Sequence, residues 1–172
     1  MFDCLQQLVQ AADRSIGAVE QAGMLPKARF YSGLVSDTKA ERGEYFERLW
    51  ATTPIGSIIF FDPDNGLEVK STPKGRRGSS KFLYLDELCT AGEGGRSVVV
   101  YQHFGRVERV AYVDTQLNRI HEQLPRHDLF ALTGTHIAFL VAATKESSEP
   151  LRTASDGLQA RWPGLQLLAF GR

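Results

Sequence analysis

Cysteine is scarce in this chain: only Cys4 and Cys89 occur, far apart and in no metal-ligand spacing. That leaves no disulfide framework and no thiolate zinc pattern, and both thiols read as reduced. No apolar run approaches the roughly 20 residues of a membrane-spanning helix. Asp3 interrupts what would have to be a signal peptide. Neither sign of charge is in excess, with 20 Lys and Arg against 20 Asp and Glu. Global charge therefore draws the protein to no partner, and only local clusters can. Internal repeats, low-complexity tracts, linkers and Walker-type phosphate loops are also missing. These absences lead us to expect one cytoplasmic α/β domain over 1–172, with no membrane partner.

What is present alternates between helical and strand patterns. Leu5, Leu8, Val9, Ala12, Ile16 and Val19 recur at helical spacing, with Asp3 as a potential N-cap. Ala28–Leu34 reads as a short strand, and Ser36 and Asp37 can cap a helix through Trp50. Ser57–Phe61 is a four-residue apolar run behind a serine, of the kind expected in a strand buried on both faces. A helix over Phe82–Cys89 and a second buried strand, Ser97–Tyr101, follow. Val107, Val110, Leu117, Ile120 and Leu124 mark a long helix. Strands are expected at Leu129–Leu132 and His136–Ala143, then a helix capped by Ser148 with Pro150 in its first turn, and a last strand at Leu165–Phe170. Such alternation predicts a mostly parallel sheet, with an antiparallel edge strand near the C-terminus.

The candidate site lies where the Ser57–Phe61 strand stops. Asp62-Pro63-Asp64-Asn65-Gly66 follows it directly, and ligands of open α/β sheets bind outside the carboxyl ends of strands. The next strand ends in Tyr101-Gln102-His103-Phe104, so Asp62, Asp64, Asn65 and His103 are candidate catalytic groups. Pro63, Tyr101, Gln102, Phe104 and Arg106 are candidate substrate contacts. Ordinary turn chemistry explains the acidic run equally well when it is taken alone. His121, His127 and His136 read as structural or exposed. Lys70, Lys74, Arg76, Arg77 and Lys81 fall in one long polar segment that can meet a phosphate backbone, or can simply be solvated.

The runs Phe61–Leu67, Lys81–Tyr84 and Val99–Phe104 together resemble a bacterial protein family that carries the FDPDNGL and YQHF motifs. The order of elements from about residue 28 onward is also similar to the later half of class I S-adenosylmethionine-dependent methyltransferases, including those that methylate adenine in ribosomal RNA. The resemblance implies a Rossmann-like three-layer sandwich, S-adenosylmethionine as cofactor and a nucleic-acid amine as substrate. It casts Asp62 as the hydrogen-bond acceptor for that amine and Pro63 as the rigid turn residue. Asp64 stands where a second proline is expected, and Asn65 where an aromatic is expected; Tyr101 or Phe104 would have to stack on the base. No glycine-rich cofactor turn precedes Ser57, since Gly17, Gly23 and Gly33 are scattered. Two further readings stay open: a Mg²⁺-dependent phosphotransfer or hydrolytic enzyme using Asp62 and Asp64, and a non-catalytic module that binds nucleic acid or protein.

Overall fold

The computed structural model describes residues 16–23, 25–104 and 107–171. The chain divides into two compact units, Met1–Leu34 and Val35–Arg172. In the first, helix α1 spans Ile16–Gln21, within the range 3–21 expected to be helical. Asp3, Cys4 and the earlier apolar positions lie outside the described residues. Ala28–Leu34 is not a strand: all seven residues are exposed and none joins a β-ladder. β propensity without a partner strand does not make a sheet.

In the second unit the elements are α2 (Lys39–Thr52), β1 (Ile58–Phe61), a 3₁₀ turn (Ser79–Lys81), α3 (Leu85–Glu93), β2 (Ser97–His103), α4 (Arg109–Gln123), β3 (Asp128–Thr133), β4 (Ile137–Ala143), α5 (Lys145–Arg161) and β5 (Gln166–Ala169). The five strands form one mixed sheet in the order β1-β2-β4-β3-β5. Only β1 and β2 pair parallel; the pairs β2–β4, β4–β3 and β3–β5 are all antiparallel. This overturns the mostly parallel, Rossmann-like sandwich expected from the sequence.

One short connection causes the difference. Gly134-Thr135-His136 joins β3 to β4, too short for a crossover, so the two strands must run antiparallel. β4 then inserts between β2 and β3, which both run in the direction of β1. The helical connections do keep their strands co-directional, as alternation predicts: β1 to β2, β2 to β3, and β4 to β5. The inserted strand separates β2 from β3, and β5 pairs with β3 rather than with β4.

The main core lies on one face of the sheet. Ile59, Val98, Val100, Ala138, Leu140 and Ala142 meet Phe46 and Leu49 of α2, Leu88 and Ala91 of α3, and Val113, Leu117 and Ile120 of α4. The α4 positions are three and four residues apart, one apolar stripe on one helix face. On the other face, α5 brings Leu151 against Phe130, Val141 and Ala143. That helix packs chiefly on β3, β4 and β5. β1 is therefore a sheet edge and not a strand buried on both faces: Ile58 is 53% exposed and Phe60 56%. An apolar run reports what a strand could bury, and the elements packed around it decide what it does bury.

Helix α5 also starts earlier than its sequence suggests. Thr144 occupies the N-cap position and Pro150 lies within the helix. Ser148 instead donates its hydroxyl to the Asp128 carboxylate, which also holds Arg152.

Candidate functional site

β1 and β2 end side by side, with Phe61–Val100 as the last registered pair. Asp62 leaves the sheet where β2 continues as Tyr101-Gln102-His103. The turn after it is built around Gln102, which is 2% exposed. Gln102 Oε1 accepts the Leu67 N–H at 2.8 Å, while Nε2 donates to the His103 carbonyl at 2.8 Å and to the Tyr112 hydroxyl at 3.0 Å. Gly66 passes directly over this amide at φ +80°, and a Cβ there would lie 2.2 Å from Gln102 Nε2. Only glycine fits that approach. The chain then pairs back on itself: Leu83 N–H donates to the Gly66 carbonyl, Glu68 N–H to the Leu83 carbonyl and Asn65 N–H to the Lys81 carbonyl. Leu67 and Leu83, each 3% exposed, fill the core beneath.

The long segment between residues 68 and 84 is held by charges from α2 and α3. Arg42, 2% exposed, forms a forked ion pair with Glu87, with Nε–Oε1 2.6 Å and Nη2–Oε2 2.9 Å. Its remaining donors reach the Ser79 carbonyl at 3.1 Å and the Phe82 carbonyl at 2.7 Å. Tyr84 lies under the guanidinium at 4.8 Å and donates its hydroxyl to the Thr72 carbonyl. Asp37, anticipated before α2 as a cap, instead accepts the Ser80 and Gly78 N–H groups. Those backbone donors hold its carboxyl down to about 2. Of the five cations expected to face a phosphate backbone, Lys74 is bound to Asp86 and Glu87, and Lys81 lies 3.8 Å from Asp64. Lys70, Arg76 and Arg77 are exposed, with no ion pair to another described residue.

Strand pleating separates the other candidates. Gln102 and Phe104 are buried, Phe104 packing on Tyr112 at 5.8 Å. Tyr101 and His103 lie on the opposite face, their rings 4.7 Å apart and edge to face. His103 and Phe104 line a cleft of about 540 Å³ with Val107, Glu108, Arg109, Thr135 and His136. Glu108 is the N-cap of α4, accepting the Ala111 and Val110 N–H groups at 2.6 and 3.1 Å. Those two bonds hold its carboxyl below the usual range. Arg109 donates to the Gly134 carbonyl at 3.1 Å. Asp62, Asp64 and Asn65 are exposed on the turn, Pro63 is half-buried beside them, and Arg106 lies outside the described residues.

His136, read from sequence as structural or exposed, is exposed and shares the cleft with His103, because the β3–β4 hairpin folds back beside β2: the Phe104 N–H donates to the His136 carbonyl. Nothing local signals this, since it depends on β4 being the strand next to β2. The Arg42–Glu87 pair was equally hidden, its members lying 45 positions apart. Among the described residues, no three His, Cys, Asp or Glu side chains converge so as to hold a metal ion. No protein-family model, curated protein or solved structure matches the chain.

Proposed function

We propose that the Asp62 turn receives the exocyclic amine of a nucleic-acid base, as the acceptor-binding part of a methyltransferase-like system. The observation that carries this reading is the placement of Asp62-Pro63 at the joined carboxyl ends of two parallel strands, where the second runs on into the His103 cleft. The exposed Asp62 carboxylate accepts a hydrogen bond from the amine, and Pro63 limits the turn to one geometry. Together they orient the nitrogen lone pair without the protein forming a covalent bond. Lys70, Arg76 and Arg77, displayed on a segment pinned by Arg42 and Asp37, supply phosphate contacts.

S-adenosylmethionine, which this reading implies, finds no fitting site among the described residues. β1 is the sheet edge, and no strand with a glycine-rich turn precedes it. Methyl transfer itself is therefore not assigned to these residues. No observation favours the Mg²⁺ reading of Asp62 and Asp64.

The test compares an adenine oligonucleotide with one carrying unsubstituted purine, which lacks the exocyclic amine. One hydrogen bond of about 1 kcal/mol predicts roughly fivefold tighter binding of adenine. Asp62→Ala should abolish that preference. Equal binding of the two oligonucleotides by the native chain would contradict the assignment.

A further inference from the structure

We infer that the open face of β1, β2 and β4 is a stacking surface for single-stranded nucleic acid; the inference rests on the reading of the Asp62 turn just given. Aromatic rings form a continuous track across it. Phe60 on β1 lies 6.4 Å from Phe139 on β4, Phe139 lies 5.4 Å from Tyr101 on β2, and Tyr101 lies 4.7 Å from His103. The track ends at the cleft, because His103 is one of its walls.

Three features point to bases rather than to another protein surface. Four of the side chains this face leaves exposed or half-buried, Phe60, Tyr101, His103 and Phe139, are planar rings, whose faces stack on any base, beside the aliphatic Ile58, Val99 and Ile137; helix-covered positions of the same sheet are mostly Val, Leu, Ile and Ala. The end of the track carries donors for a phosphate: His103, His136 and Arg109 line the cleft, beside a Glu108 carboxylate that is turned to the backbone N–H groups of α4. Asp62 and Asp64 are the acidic groups on the β1 side, and Asp64 faces Lys81 at 3.8 Å. A second copy pairing along the free β1 edge would cover Ile58 and Phe60 but leave Tyr101 and Phe139, which sit further into the sheet. A strand of nucleotides crossing the face meets all of them.

The experiment is fluorescence anisotropy of the full chain with labelled oligothymidine and oligouridine at low salt. Neither base has an exocyclic amine, so the result is independent of Asp62. Saturable binding is expected, about tenfold weaker in Phe60→Ala and in Tyr101→Ala, from the stacking free energy of one base. Phe60→Leu should lose nearly as much, because it keeps the apolar surface but not the ring. Circular dichroism melts confirm that the variants fold. The inference is overturned if neither oligonucleotide binds, if both alanine variants bind unchanged, or if light scattering shows a dimer that Phe60→Ala dissolves. Loss of the adenine preference alone would defeat the Asp62 assignment and leave the stacking surface standing.

Discussion

Tyr101 and Gln102 are adjacent in sequence, yet the pleat of β2 sends them into opposite environments. On the helix-covered face, Gln102 has its amide committed to Leu67, His103 and Tyr112. On the open face, Tyr101 touches other rings that are themselves half-buried or exposed. The same contrast runs through the surrounding segments. Arg42, Glu87 and Asp37 are committed to internal bonds, while Phe60, Lys70, Arg76 and Arg77 face solvent. Polar residues near a strand end thus divide into those that build the turn and those it displays. Burial on one face of the sheet separates them better than residue type does.

The sharpest way to break the committed side is Arg42→Ala, which strands the Ser79 and Phe82 carbonyls and takes the forked partner from buried Glu87, leaving it Lys74 and the Tyr84 N–H. A loss of about 3–5 kcal/mol is expected in chemical denaturation, and Arg42→Lys should recover little of it, because the fork geometry is lost. Gly66→Ala comes next, at about 2–3 kcal/mol, from the positive φ and the contact with Gln102. Gln102→Leu should cost about 1–3 kcal/mol by leaving the buried Leu67 N–H without an acceptor, read by the same denaturation.

Smaller effects follow from titration. Burial pushes the His127 imidazole down, opposed in part by the Arg96 backbone. Below about pH 6.5 the unfolded chain therefore takes up a proton that the folded chain resists, and stability falls with pH; His127→Gln should flatten that slope. Asp37 acts further down. Its contribution is complete above its ordinary value of 3.8 and is lost as the pH falls through about 2. On the open side, Phe60→Ser should cost only about 1 kcal/mol, since the ring is 56% exposed. A large loss there would mean that the ring is part of the core and that the comparison between faces is wrong.

The order of helices and strands in the second unit was legible because each carries its own periodicity; α4 shows it in Val113, Leu117 and Ile120. The meeting of the Asp62 turn with the Tyr101–His103 strand end was legible too, because a single helix separates β1 from β2. Sheet order was not. Whether β4 lies outside β3 or between β3 and β2 is a non-local choice, and it decides both the antiparallel pairing and the place of His136. The exposure of Ile58 and Phe60 was hidden for a similar reason: an apolar run looks the same whether or not a helix covers it. Asp37 was misread because a carboxylate before a helix can serve that helix or a distant loop, and here the Gly78–Ser80 donors take it.

The most direct test of the account is a titration of a labelled adenine-rich single strand with the native chain, repeated at rising salt. Saturable binding is predicted, stronger than for a duplex of the same sequence, weakening as salt displaces the phosphate contacts. Absence of binding at low salt, or equal affinity for single strand and duplex, would contradict it.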